Sequence, residues 1–382
     1  MRACLTGLAL TLCLSTPVLA IQEGGEPVLM ETEQADFLVE TVATGLEYPW
    51  SIAFLPDGNA LVSEREGRLR LLQDGQLVET PLAGLPADLL VERQGGLLGL
   101  ALHPEFETQR WVYFAYAAGA PQSNRTVLAR GWLADDLGSL SNVETLFQVN
   151  FEKERGFHFG GRVIFLEDGT LLLTLGDGGL HRDQSQNLEN HLGTIIRLNA
   201  DGSVPFDNPY MGVRGAQQEI HSYGHRNVQG IAINPATGAV WAHEHGARGG
   251  DEINIVQPGL NYGWPAVTYG INYDGTPISD ATQGEGFVDP IWYWVPSIAP
   301  SGMDFYVGEA FANWHGDLFV GALAGSRLIR YEVRGNQIIS EEDLLEDLGQ
   351  RIRDVKTGPD GLVYVLTDDL DGQVLRLRPV SQ

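Results

Sequence analysis

The chain has 382 residues, with 24 Lys and Arg against 50 Asp and Glu, a formal charge of −26 and 43% hydrophobic residues. That apolar fraction supports a large core and excludes a disordered, collagenous or coiled-coil chain. The negative balance excludes a protein that binds nucleic acid or an anionic membrane through a basic face. At about 150 residues per domain the length suggests two or three domains, although all-β folds often exceed that as one.

Taken from its start, the chain opens with a secretory signal over residues 1–20. Arg2 supplies the positive region, Leu5 to Leu14 the apolar stretch, and Val18-Leu19-Ala20 the small-residue cleavage site. Both cysteines, Cys4 and Cys13, lie inside it, so a protein cut after Ala20 has neither disulfides nor thiolate metal sites. A lipid anchor on Cys13 is the lesser alternative, because Leu12 is bulky where a small residue is usual. No later apolar run approaches the ~20 residues that span a bilayer. These features predict a product without a membrane span, periplasmic or secreted. Residues 21–36 read as an acidic, aperiodic leader.

From Phe37 onward one unit recurs: a short apolar strand, a turn such as Pro-Asp-Gly, then a second and a third apolar strand. The first copy is Ile52 to Leu72, turning at Pro56-Asp57-Gly58. Further copies begin near Leu100, Val163, Ile231, Met303 and Val355, at separations of 48, 63, 68, 72 and 52 residues. That spacing fits one four-stranded antiparallel blade plus variable loops, and six units predict a single all-β domain over 37–382, a six-bladed β-propeller. One blade cannot bury both faces alone, so the units must stack around an axis and share a core. The alternating stretch Phe37 to Val42 is assigned to the outer strand that closes the last blade. Two separate β-sandwiches are the rival architecture, which six evenly patterned hairpins disfavour.

Polar residues flanked by glycine gather just before the first strand or just after the second strand of these units. They include Gln94, the run Phe157 to Arg162, Asp177, His225-Arg226-Asn227, His245-Gly246-Ala247-Arg248 and Arg351-Ile352-Arg353-Asp354. In a propeller such positions converge on one end of the central channel, and glycine lets backbone approach a ligand. Arg226, Arg248, Arg351 and Arg353 offer forked donors to an anion bearing several carboxylates or phosphates. The bland alternative pairs each arginine with a nearby acid, Arg353 with Asp354 for example. His158 is the candidate general base, since imidazole titrates near neutrality. His243 and His245 alternate along a strand and raise the question of zinc, but lack a third ligand at a recognisable spacing. Asp251-Glu252 with Asn261 to Trp264 suits a hard cation such as calcium better.

At these loops the sequence resembles the soluble aldose sugar dehydrogenases that depend on pyrroloquinoline quinone (PQQ), the glucose/sorbosone dehydrogenase family. The likeness runs from about Phe37 to Leu377. Its most specific stretches are Gln94 to Leu100, His158 to Arg162, Tyr223 to Asn227, Gly250 to Asn254 with Asn261 to Pro265, and Arg351 to Asp354. The resemblance implies a six-bladed propeller and oxidation of aldoses to lactones, with electrons passed to an external acceptor that is a quinone or a redox protein. It makes His158 the base, puts Asp177 where the family orients His158 or the sugar, and makes Gln94, Arg226, Asn227, Arg351 and Arg353 the cofactor cradle, to which Arg248 of the arginine bed is added. Gly246 and Ala247 fall where carbonyls hold a calcium ion at the quinone, and Glu252 and Tyr262 resemble ligands of a second, structural calcium. Two positions depart from the family pattern. Ala324 stands where a lysine commonly contacts the cofactor, with Arg327 as the possible substitute, and Phe157 stands where a carboxylate often precedes the histidine. Long dimer-forming insertions are not evident, so a monomer with an open cleft is expected. A calcium-dependent propeller lactonase and a non-catalytic binding propeller are the alternatives; the first needs a carboxylate-rich metal centre where this chain places arginines.

Overall fold

The computed structural model describes residues 25–380, so the secretory signal read over 1–20 lies outside the described residues. Each repeat becomes a hairpin for a local reason. At the first turn the Asp57 carboxylate accepts the Asn59 N–H at 3.1 Å and Gly58 sits at φ 88°. The Leu55 N–H then closes on the Asn59 carbonyl at 2.7 Å. Glycine adopts that left-handed backbone without steric cost, and the aspartate ties the turn to itself. Asp168 repeats the device with Thr170 at 2.9 Å, and Asp360 with Leu362 at 3.1 Å.

Six antiparallel sheets follow. Blade 1 comprises Pro49–Phe54, Ala60–Glu64, Arg68–Gln73 and Gln76–Leu77; blade 2 comprises Leu97–Leu102, Trp111–Ala120, Ser123–Leu133 and Leu140–Gln148. Blade 3 holds Val163–Phe165, Thr170–Thr174, Thr194–Asn199 and Ile220–Tyr223, and blade 4 holds Val228–Ile233, Val240–Glu244, Asp251–Val256 and Trp292–Trp294. Blade 5 is Pro300–Phe305, Leu318–Ala322, Arg327–Arg334 and Gln337–Leu344. Blade 6 adds the distant Phe37–Leu46 to Ile352–Thr357, Val363–Thr367 and Gly372–Pro379, pairing Phe37 with Pro379 and Val39 with Leu377. This is the six-bladed propeller expected, and its closing strand is the one assigned from the alternation. Helical structure among the described residues is limited to three short 3-10 turns.

One expectation is corrected. Val28–Met30, inside the segment read as an aperiodic leader, forms a fifth strand on blade 6, pairing Val28 with Val39 and Met30 with Phe37. Three residues are too short for their alternation to stand out in the sequence. The exposed edge of Phe37–Leu46 supplies the missing hydrogen bonds.

The core follows from the period of two. In Thr170–Thr174, Leu171 and Leu173 pack with Tyr113, Ala115 and Leu128 of blade 2, while Leu172 packs with Ile231 and Ala242 of blade 4. Equivalent apolar clusters fill the other four junctions, including Val62 and Ile52 against Leu366 and Val374 where the last blade meets the first. First strands line the axis, each against the next around the ring.

The axis is plugged by charge. Arg162 reaches from blade 3 to Asp354 of blade 6 at 2.7 Å and also donates to the carbonyls of Gln229 at 2.8 Å and Arg353 at 3.1 Å. Its guanidinium lies 4.1 Å from the Trp50 ring centroid, so one side chain of blade 3 touches blades 1, 4 and 6. A cation buried this deeply is tolerable because every face has a partner.

Candidate active site

Above the plug, at the end of the channel where the glycine-flanked loops meet, lies a cavity of about 280 Å³. Trp50 and Arg65 of blade 1, Gln94 and Leu98 of blade 2, and Phe159 and Gly160 of blade 3 line one half. Asn227, Gln229 and His245, with Ala299, Leu323, Ala324, Arg351 and Arg353, line the other.

His158 stands at the edge of this cavity, between Gln94 and Phe159. Its backbone is left-handed at φ 51°, and its N–H donates to the Gln94 side-chain oxygen at 2.8 Å. The ring Nδ1 lies 2.6 Å from an Asp177 oxygen, and the Asp177 side chain is only 1% exposed. A carboxylate accepts, so Nδ1 carries the proton and Nε2 keeps a lone pair. Asp177 is itself fixed by the Trp264 indole N–H at 2.9 Å and the Gly179 N–H at 2.7 Å. Burial pulls the His158 imidazolium below its ordinary range, Arg226 and Lys153 reinforce that, and Asp177 opposes it. Burial raises the Asp177 carboxyl, but His158, Arg226 and the Gly179 N–H outweigh it and hold the group ionised below the usual carboxylate range. The pair is thus a neutral imidazole on a buried carboxylate, the arrangement of a general base.

The cavity's amides are oriented too. The Asn227 oxygen accepts the Gly160 N–H at 3.1 Å and the Gln229 amide at 3.3 Å, which leaves its NH2 group as the donor end. Gln94, whose oxygen is taken by His158, likewise keeps its NH2 to donate. On the far wall Asp368 splits its two oxygens between two arginines. Oδ1 accepts Arg353 at 3.1 and 3.0 Å, and Oδ2 accepts Arg351 at 3.0 and 2.7 Å. The bland expectation of an Arg353–Asp354 pair is therefore corrected: consecutive strand residues face opposite ways, and Asp354 turns to Arg162 while Arg353 turns to Asp368.

Other assigned residues are distributed unevenly. Arg226 donates to the His245 carbonyl at 3.0 Å and sits over Trp264, in a small cleft beside the main cavity. Gly246, Glu252 and Tyr262 line that same cleft with Glu244. The Ala247 carbonyl already accepts the Ile271 N–H at 3.0 Å. Arg248 does not join the arginine bed. Its left-handed backbone, φ 53°, sends the exposed side chain to the Tyr273 carbonyl at 3.3 Å. Arg327 does not line the cavity beside Ala324; it pairs at 2.8 Å with Asp343 of the outermost strand of blade 5. His243 and His245 do not form a metal pair. His243 is fully buried beneath Gly230, where even a Cβ would come within 2.1 Å of its Nε2, and His245 donates from Nε2 to the Pro300 carbonyl at 2.6 Å. Burial pushes the His245 imidazolium down to about 3, so the ring is neutral where it lines the cavity.

Glu252 and Glu244 are cross-strand partners, Glu244 buried and Glu252 half-buried. Glu244 is engaged by His225 at 2.8 Å and by the Arg226 N–H. Glu252 has only a 3.4 Å contact from the Asn254 amide, and the Asn254 oxygen is buried without a partner. Burial, then the Glu244 charge, push the Glu252 carboxyl well above its ordinary value. Uncompensated oxygens of this kind fit a hard cation. No group of three or more His, Cys, Asp or Glu gathers to hold a metal among the described residues, so the remaining ligands would be carbonyls.

Arg65, Trp50, Gln229 and Asp368 were missed by sequence reasoning. The signal was present for two of them. Arg65 directly follows the second strand of blade 1 and Asp368 that of blade 6, as His245 follows that of blade 4. The positional rule that selected His245 selects them as well.

The family described as Glucose / Sorbosone dehydrogenase matches residues 46–376. Aldose sugar dehydrogenase YliI of Escherichia coli is 43% identical over 346 residues, covering 89% of this chain and 92% of that one. The crystal structure of the soluble aldose sugar dehydrogenase from Escherichia coli in the apo-form superposes with a TM-score of 0.87 at 42% identity, covering 90% of this chain and 99% of the other. The PQQ-bound form of the aldose sugar dehydrogenase from Streptomyces coelicolor gives a TM-score of 0.74 at 30% identity, covering 91% of this chain and 99% of the other. A family match across the propeller and a relative of this identity over most of the chain place the protein: it belongs to the glucose/sorbosone dehydrogenase family.

Proposed function

We propose that the protein oxidises aldose sugars at the anomeric carbon to lactones, as a quinoprotein that uses PQQ and calcium and passes electrons to an external acceptor. The observation that carries this reading is a neutral His158, held by a buried Asp177, at the edge of a cavity walled by Arg65, Arg351 and Arg353. The base takes the proton of the anomeric hydroxyl on Nε2, and Asp177 compensates the charge that then develops on the ring. Trp264 and Gly179 keep the carboxylate from following the proton.

The residues fit the cofactor by their chemistry. Three arginines suit a tricarboxylate, and the NH2 ends of Gln94 and Asn227 donate to carbonyl and carboxylate oxygens. Arg226 belongs to the same cradle from the neighbouring cleft. Bound there, PQQ supplies the two-electron acceptor for the hydride of the sugar, with a calcium ion on the Gly246 and Ala247 carbonyls making it more electrophilic. Glu252 and the Tyr262 loop would hold a second calcium that ties blade 4 together. In this reading the protein acts as a monomer, exported to the periplasm or secreted. No carboxylate lines the main cavity among the described residues, which speaks against a calcium-dependent lactonase.

The test is reconstitution. Purified apoprotein given PQQ and calcium should reduce a redox dye on addition of glucose and other aldoses, and neither component alone should suffice. Lactone hydrolysis without dye reduction would overturn the reading.

A further inference from the structure

Lys153 is one of only two lysines in the chain, and it is 2% exposed. A buried ammonium needs a reason, because desolvation penalises its charge. Its surroundings are built for a cation. The Asn124 amide donates its NH2 to the carbonyls of Ala120 at 3.2 Å and Pro121 at 3.3 Å, which turns its oxygen to Lys153 Nζ at 2.9 Å. The Arg155 carbonyl lies 3.4 Å from Nζ, and Nζ sits 3.4 Å from the centroid of the Phe159 ring. Backbone bonds in both directions between Asn124 and Lys153, each 2.9 Å, lock the pair in register.

The place matters as much as the partners. Phe159 follows His158 and Gly178 follows Asp177; the lysine touches both. Its stem runs so close to Gly178 that a Cβ there would come within 2.8 Å of Lys153 Cδ. We propose that Lys153 is a positioning residue, a buried cation seated behind the His158–Asp177 pair that keeps the pair in the form able to accept a proton. The inference rests on the reading of His158 as the base. It adds a residue that neither touches the sugar nor lines the cavity.

The charges facing the pair all act in this direction or are accounted for. Arg226, from the loop before blade 4, and Lys153 disfavour a protonated His158, while Asp177 favours it. Facing Lys153 itself are Asp177 and Glu154, which support its charge. Glu154 is also engaged by His181 at 3.1 Å. Burial brings the Lys153 ammonium down to about 7. It is therefore mostly charged in the acid range where His158 takes up a proton, and it sheds that charge above neutrality.

The sign is then fixed. Lys153→Met removes a positive charge, so His158 protonates at higher pH and the acid limb of kcat/KM moves up. The midpoint of that limb should move up by the equivalent of about threefold or more in proton concentration, since a nearby like charge commonly moves a titration by that much or more. A merely structural defect would lower kcat/KM across the profile and leave the midpoint in place. The same shift should be read without cofactor or sugar, by following the His158 ring signals in apoprotein labelled at histidine and assigned with a His158→Gln sample. An unchanged His158 titration in Lys153→Met overturns the proposal, whatever the activity does. Full activity in His158→Ala would instead overturn the base assignment. Should Lys153→Met fail to fold, carbon-labelled lysine in the wild type gives two side-chain signals to follow. Lys153 must titrate well below the ordinary lysine range, and earlier still in Asp177→Asn; a Lys153 signal unmoved by Asp177→Asn refutes the coupling.

Discussion

Asp368 gives the sharpest perturbation, because one carboxylate tethers both arginines of the far wall. Replacing it by Asn keeps the shape, removes the charge and turns an NH2 group toward a guanidinium. Arg353 is 8% exposed and Asp368 5%, so their half of the arrangement is a buried ion pair; Arg351 is 48% exposed, and water will replace much of what it loses. Breaking a buried pair by removing one partner costs about 3 to 5 kcal/mol, and the exposed arginine argues for the lower end, ~3 kcal/mol. With an unfolding entropy of ~2.1 cal/mol/K per residue, a propeller of roughly 350 residues should melt about 4 °C lower. Calorimetry on the apoprotein at pH 7 reads this directly. Burial raises the Asp368 carboxyl, but Arg353 and Arg351 outweigh it and hold it below the ordinary range. A depressed carboxyl contributes stability above its unfolded value, near ~3.9, and loses it as pH falls through the folded value. The gap between wild type and Asp368→Asn should therefore be full at neutral pH and close below about pH 4. Equal melting temperatures at pH 7, or a gap that persists in acid, would refute the assignment of Asp368 as the tether.

Three further outcomes are expected. His158→Ala should lose ~100- to 10,000-fold in kcat and leave PQQ affinity largely intact, as steady-state rates and a quinone titration would establish. Arg353→Lys keeps a charge but loses the fork; PQQ should bind about 5- to 150-fold more weakly, while a wild-type dissociation constant would remove Arg353 from the cradle. Chelation should abolish activity and lower the melting temperature, because an ion held only by the folded state stabilises it by mass action. Glu252→Gln, which relieves an uncompensated carboxyl, should make the melting temperature indifferent to chelator; continued sensitivity would locate the stabilising ion elsewhere.

What the sequence determined by itself is local and periodic. Asp-Gly turns and a period of two are written in consecutive residues, so six hairpins, their spacing and the closing strand at Phe37 could be read directly. The same periodicity delivered the loops, because propeller symmetry carries every residue at a given place in the unit to the same end of the channel. His158, Gln94, Asn227, Arg351 and Arg353 were legible for that reason, and Arg65 and Asp368 would have been had the rule been applied to blades 1 and 6. Partner choice was not legible. Arg353 has Asp354 as its chain neighbour, yet the pleat turns them apart, and only the meeting of blades 3 and 6 at the axis gives Asp354 to Arg162. Arg248 and Arg327 shared the charge and the repeat position of cavity residues, but a left-handed backbone and a competing Asp343 took them elsewhere. Nothing in the residues around Lys153 shows that folding buries it behind the base. Burial, orientation and pairing depend on segments brought together from distant parts of the chain, and those the tertiary structure alone decided.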